Sequence, residues 1–292
     1  MKELMLTNKA IARGAWEAGV KVLSAYPGTP STEIAENFAV MDGVYAEWAP
    51  NEKVAVEVAI GAAVAGGRAM ACMKHVGLNV AADPLFTVAY TGVNAGMIIG
   101  VADDPGMHSS QNEQDSRFYA RSAHIPMLEP SSAQEAKEFV KLAYEISEQF
   151  DTPVLVRETT RVAHSHGVVE LCAREEQPVK PYEKTISKYV MMPASAIARH
   201  PIVEDRENRL AADFSDYGRL ARLHCNSVKK HPAELTDDLD RHIPCPRRGA
   251  SRKENDITFR KSLFYRGVKL FVIISNNTVF NTFTARLKAK GI

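Results

Sequence analysis

Three short polar stretches hold most of the residues whose types and spacing could do chemistry. The first is "YPGTPSTE", residues 26–33, where Thr29, Ser31 and Thr32 supply hydroxyls and Gly28 lets the backbone come close to a ligand. Thr29 before Pro30 fits an N-cap and first helical position, because proline lacks only an N–H that would be orphaned there anyway. Two readings stand side by side. One is a plain capped strand-to-helix turn; the other is an anion site made by the free N–H groups of the first turn and the hydroxyls of Ser31 and Thr32. The second stretch, "KHVGLN", carries Lys74, His75 and Asn79 around Gly77. The third, "MHSSQNEQDSR", gathers His108, Ser109, Ser110, Gln111, Asn112, Asp115 and Arg117. It is either a flexible polar loop or a substrate loop in which Arg117 or His108 meets a carboxylate. Glu52 follows Asn51 at the start of "NEKVAVEVAIGAAVAGG". In that first turn it either complements the helix dipole or, if buried, takes a raised pKa and shares a proton with a ligand nitrogen.

The elements that must position these residues alternate in type. "VKVLSAY", "RAMACMK", "GMIIGVADD" and "PVLVRET" read as strands, and "GVYAEWA" lies between two helices. "TNKAIARGAWEAG" has helical period, with Thr7 as N-cap and Gly19 as stop; "NEKVAVEVAIGAAVAGG", "LNVAADPLFTVAYTG" and "SSAQEAKEFVKLAYEISEQF" are further helices. Apolar strands separated by helices imply an α/β fold, a parallel sheet with helices on both faces. Ligands bind such sheets beyond the carboxyl ends of the strands. Each polar stretch follows a strand, so all three are expected on one rim.

The totals exclude several classes. With 36 basic and 35 acidic residues among 292, bulk charge points to no nucleic-acid partner. No apolar run is long enough for a membrane span, and no secretory signal is visible at the start. Cys72, Cys172, Cys225 and Cys245 lie far apart with no CxxC, so no local iron–sulfur or zinc pattern exists and a reducing cytoplasm is expected. No Walker lysine and no GxGxxG accompany the glycines. After about residue 172 a proline-dotted stretch leads into a charged helix over "IVEDRENRLAADFSDYGRLARLH". From Cys225 the sequence has no sustained period apart from one strand candidate, "VKLFVIISNN".

As an ordered set, "AYPGTPSTEI", "NEKVAVEVAIGAAVAG", "KHVGLNVAADPL" and "SSQNEQDSR" resemble the N-terminal part of the 2-oxoacid:ferredoxin oxidoreductases, most closely alpha subunits of the indolepyruvate type. The resemblance runs to about residue 220 and includes "KYVMMPASAIARHP". It implies a thiamine diphosphate pyrimidine-binding domain over residues 1–172, then a linker and the start of a second domain over 173–224; residues 225–292, beyond the resemblance and without sustained period, are expected to be a divergent, poorly ordered tail. The resemblance implies oxidative decarboxylation of an aryl 2-oxoacid with coenzyme A, reducing ferredoxin, in company with a beta subunit. A different 2-oxoacid such as pyruvate, or a non-catalytic remnant, are the alternatives. Glu52 stands where the family's glutamate bonds the aminopyrimidine nitrogen and acts as acid/base. Thr29 stands where a threonine contacts the substrate carboxylate. Gly28 and Thr29 are expected beside the cofactor, with Ser31, Asn79, His108 and Arg117 toward substrate. The family also uses Mg2+ through a GDG…N motif, and 4Fe-4S clusters through CxxCxxC runs. Neither pattern occurs in this sequence, so the chain alone is expected neither to bind thiamine diphosphate tightly nor to turn over.

Overall fold

The apolar runs "VKVLSAY", "RAMACMK" and "GMIIGVADD" fold as strands, and a polar stretch begins at the carboxyl end of each. The computed structural model describes residues 1–214 and three short strands between residues 263 and 274. Strands β2 (Val22–Ala25), β3 (Tyr45–Trp48), β4 (Ala69–Lys74), β5 (Met97–Asp103), β6 (Met127–Glu129) and β7 (Val154–Thr159) form a parallel sheet in the order β6-β7-β5-β4-β2-β3. The expected α/β class, a parallel sheet with helices on both faces, is the one observed. The strand candidate "VKLFVIISNN" divides into β10 (Val268–Leu270), paired with β9 (Leu263–Tyr265), and β11 (Val272–Ile274), which lies parallel to β6. The remainder of the expected tail over 225–292 lies outside the described residues.

Helices α1 (Thr7–Glu17), α2 (Thr32–Ala39) and α7 (Ala133–Phe150) cover one face around Ile11, Leu23, Phe38, Tyr144 and Val156. Helices α3 (Glu52–Val64), α4 (His75–Val80), α5 (Ala82–Thr91) and α6 (Arg117–Ser122) cover the other, around Val56, Leu78, Leu85, Ile99 and Leu155. Strands sealed on both faces read as continuous apolar runs, and all seven residues of β5 are buried. Helix α7 starts as its sequence suggests, with Ser132 Oγ accepting from the Glu135 N–H at 3.3 Å. Thr7 does not cap α1. It is the first helical residue, and its hydroxyl donates to the Ser165 carbonyl at 3.2 Å. That bond supports an antiparallel ribbon of β1 (Lys2–Leu6) and β8 (His166–Glu170), whose partners are too far apart in the chain for sequence reading to pair.

After the one-turn helix α8 (Thr160–Ala163) and strand β8, residues 173–214 run along the amino edge of the sheet, through α9 (Ile186–Tyr189) and α10 (Pro193–Phe214). Their cations cap carbonyls of the loops and helix ends there. Arg174 donates to Trp16 and Val20, Lys188 to Val93, and Arg206 to Ala89 and Asp151. Gly66 needs to be glycine for this contact. Its φ is +98°, and a Cβ would come 1.9 Å from the Lys180 carbonyl oxygen.

Helices α1 and α7 cross closely because Gly14 has no side chain: a Cβ there would lie 2.6 Å from the Lys137 carbonyl oxygen. Beside the crossing, buried Lys137 Nζ sits 3.0 Å from buried Glu17 Oε2, while Arg13 Nε holds Glu17 Oε1 at 2.9 Å. Lys137→Met strips one of the two cations from a carboxylate that stays buried. Urea denaturation is expected to show a loss of about 3 kcal/mol.

Candidate functional site

The strand order locates a crevice before any side chain is considered. From β2 the chain passes outward to β3 through α2 on one face; from β3 it returns across β2 to β4 through α3 on the other. The connections diverge between β2 and β4, which is where open α/β sheets bind ligands. Gly28, just beyond β2, and Lys74, the last residue of β4, meet there; a Cβ on Gly28 would stand 3.3 Å from the Lys74 Cβ. All three polar stretches reach this rim.

The turn of the first stretch closes on itself. Ser31 donates to the Gly28 carbonyl through its N–H at 2.9 Å and its hydroxyl at 2.8 Å. The Gly28 N–H donates to Thr32 Oγ1 at 3.0 Å, and the Thr29–Pro30 peptide is cis. Helix α2 therefore starts at Thr32, with Ser31 at its cap and no side-chain capping bond. This corrects the expectation that Thr29 caps a helix entered at Pro30, because the groups that could cap are spent on Gly28. Glu33 already meets the dipole of this first turn, which argues against an anion seated on it. Thr29 is exposed at the mouth of the crevice, and its carbonyl accepts from Ser109 Oγ at 3.3 Å. Behind the turn, buried Asn8 donates through Nδ2 to the Pro30 carbonyl at 2.7 Å and to Glu33 Oε2 at 2.9 Å.

Helix α3 begins as its sequence predicts. Asn51 is extended, and its Oδ1 accepts from the Val54 N–H at 3.0 Å. Glu52 then falls in the first turn, half-buried, with no hydrogen-bond partner among the described residues. The wall beside it is Gly77 of α4, where a Cβ would lie 2.5 Å from Glu52 Oε1. Any larger residue at 77 would displace the carboxylate. Glu57, one turn on, is exposed.

The β4 and β5 ends are laced together. Lys74 Nζ donates to the Ser109 carbonyl at 2.8 Å. His75 is fully buried, with Nε2 3.1 Å from the Asn112 carbonyl oxygen, so Nε2 carries a proton and donates; Nδ1 has no partner among the described residues. Asn79 is exposed, and its Oδ1 accepts from the Tyr119 hydroxyl at 2.6 Å. His108 is exposed, with its N–H on Asp104.

Asp104 knots the third stretch. It accepts from the Ser109 N–H and from the hydroxyls of Ser110 and Thr160, at 2.8, 2.5 and 2.7 Å. Burial works to raise its pKa, but these bonds, Ser110's foremost, outweigh it and hold the carboxyl far below the usual range. Arg117 opens α6 and grips Asp115 bidentately, both contacts at 2.6 Å. Its neighbour Arg157 is buried between Asp103, at 2.7 Å, and Glu129. Three carboxylates thus face two guanidiniums, and burial raises the pKa of Glu129 despite both arginines.

The structure brings Gly28, Thr29, Ser31, Glu52, Asn79, His108 and Arg117 to the same rim. It commits the Ser31 hydroxyl hydrogen to Gly28 and the Arg117 fork to Asp115. Sequence reading missed Asp104 as the organiser of the loop, and it missed the Arg157 cluster. The available signals were two adjacent aspartates ending the apolar run of β5, and an arginine and a glutamate interrupting that of β7. Among the described residues, no group of three or more His, Cys, Asp or Glu side chains could hold a metal ion, and no helix is long and apolar enough to cross a membrane.

The chain is 44% identical over 262 residues to the indolepyruvate oxidoreductase subunit IorA of Archaeoglobus fulgidus, covering 83% of this chain and 42% of that protein. It is 50% identical over 222 residues to the subunit of the same name from Methanothermobacter marburgensis, covering 74% and 36%. It thus spans about two fifths of the length of these relatives. Among solved structures, the 2-oxoglutarate:ferredoxin oxidoreductase from Magnetococcus marinus shares the fold, with a TM-score of 0.59 at 18% identity over 73% of this chain and 45% of that one. Residues 13–216 match the family model described as pyruvate flavodoxin/ferredoxin oxidoreductase, thiamine diP-bdg. The chain belongs to this thiamine diphosphate-binding family of 2-oxoacid oxidoreductases.

Proposed function

We propose that this chain is the pyrimidine-binding part of an indolepyruvate-type 2-oxoacid:ferredoxin oxidoreductase, working with further protein that anchors the cofactor's diphosphate. The observation that carries this reading is Glu52: a carboxylate without a partner among the described residues, set at the switch-point rim and walled by a glycine. The fit is to one half of thiamine diphosphate. The ring nitrogen of an aminopyrimidine suits a carboxylate that has no hydrogen-bond partner among the described residues and is set against a glycine. For the magnesium-diphosphate half, no group of three or more His, Cys, Asp or Glu side chains among the described residues could hold a metal ion.

When bound, thiamine diphosphate supplies the electron sink for oxidative decarboxylation. The chain's own residues would orient and protonate. Glu52 would hold and release a proton at the pyrimidine nitrogen, the role of a positioned general acid/base. Gly77 leaves room for that carboxylate, which a larger side chain would displace. Thr29 would form the corner that receives the substrate carboxylate, with Gly28 beside the cofactor and Ser109 fixing the Thr29 backbone. Asn79 offers its amide N–H groups, because Tyr119 engages only its oxygen. His108 and Arg117 flank the loop, and Arg117 would have to share or leave Asp115 to reach a substrate carboxylate. The substrate would be an aryl 2-oxoacid with coenzyme A as acyl acceptor, and ferredoxin and a beta subunit would be partners. The high identity to two indolepyruvate subunits supports this choice among 2-oxoacids.

Glu52→Gln in a complete enzyme containing this segment is expected to lower kcat on the order of 10²–10⁴-fold with an unchanged melting curve. Turnover near wild type would remove the role from Glu52. Titration calorimetry of the 292-residue chain with thiamine diphosphate and magnesium is expected to show no micromolar binding. Tight binding would mean that the diphosphate is held by residues of this chain.

A further inference from the structure

The carboxyl end of β7 holds a group that this chemistry does not use. Glu158 is 2% exposed, and neither of its carboxyl oxygens has a hydrogen-bond partner among the described residues. By strand alternation it shares the face of Val154 and Val156, the face covered by α1 and α2. The titratable groups around it are Glu33 from α2 and the Cys72 thiol from β4, with the His164 imidazole 3.5 Å from Glu33 on the far side. Helix α1 contributes Asn8, which is neutral. Burial first, and the Glu33 charge second, push the Glu158 carboxyl well above the ordinary range. An ion in this position would be buried beside a like charge, with no cation among the described residues to pair it.

Glu33 also has a second neighbour. Asn8 Nδ2 bridges Glu33 Oε2 and the Pro30 carbonyl, and Asn8 Oδ1 is itself buried without a partner among the described residues. The Glu33 carboxylate is therefore at once the neighbour of Glu158 and one of the two anchors of the residue that holds the turn.

We propose that Glu158 is a positioning residue for the substrate corner: kept as a neutral acid, it lets Glu33 remain inward on Asn8, which in turn holds the Pro30 carbonyl and the turn that presents Thr29. The functional part rests on the assignment of Thr29 above; the physical part does not. Ionisation of Glu158 would set two carboxylates against each other. Glu33, whose side chain is 33% exposed, would swing toward water and His164, and Asn8 would lose one anchor. The folded chain retains a proton that the unfolded chain gives up near the ordinary glutamate pKa. The contribution of Glu158 to stability therefore falls as pH rises from that value toward its raised folded-state pKa.

The test is amide hydrogen exchange at Gly28 and Ser31, whose N–H groups close the turn, in the ligand-free chain between about pH 6 and 9, corrected for intrinsic rates, in wild type and Glu158→Gln. Where opening is coupled to loss of one proton, the wild-type opening constant should rise about tenfold per pH unit. The glutamine variant should stay flat. Equal pH dependence in the two proteins overturns the proposal. Carbon-13 carboxyl spectra of the wild type provide a check that does not depend on the variant's folding: a protonated Glu158 at about pH 6 supports the proposal, and an ionised one overturns it. Because neither cofactor nor substrate is present, failure here leaves the Glu52 assignment, which is read from turnover, untouched.

Discussion

A parallel sheet buried on both faces has only its two ends left for polar chemistry, and in this protein one end is sealed. Every loop that enters the sheet has carbonyls to satisfy, and residues 173–214 supply Arg174, Lys188, Arg199 and Arg206 to do so. The sealing keeps the chain's later segment on the amino edge. It leaves the carboxyl edge, where β2 and β4 send their connections to opposite faces, as the place where a ligand can enter.

At that open edge the polar groups are mostly engaged with one another. Asp104 holds the loop after β5, Lys74 and Ser109 tie that loop to the turn after β2, and Asn8 ties the turn to α1. Such lacing matters because a loop left free would average its side chains over many positions, and a catalytic geometry tolerates little of that. Against this background Glu52 stands out. Its helix is capped by its neighbour Asn51, its wall is a glycine, and its carboxylate has no hydrogen-bond partner among the described residues.

Particular residues show where local reasoning succeeded. Asn51 and Ser132 cap their helices as expected, since a cap is an i to i+3 contact that the sequence contains entire. Thr29 failed as a cap for a related reason. Gly28, Ser31 and Thr32 compete for the same few groups, and propensity does not rank the closed turn against the capped helix. The pairing of β1 with β8 and the contact of Gly77 with Glu52 join segments distant in sequence, and no periodicity announces either.

The sequence by itself determined the alternation of strand and helix, the parallel sheet and the gathering of three polar stretches at one rim. These follow from hydrophobic period and from the rule that successive parallel strands point their carboxyl ends the same way. Only the tertiary structure decided which carboxylates are spent and which are free. Asp104, Glu52 and Glu158 look alike along the chain. One is saturated with hydrogen bonds, one is open at the rim, and one is buried beside another acid, because solvent access and donor supply are properties of neighbours brought together by folding.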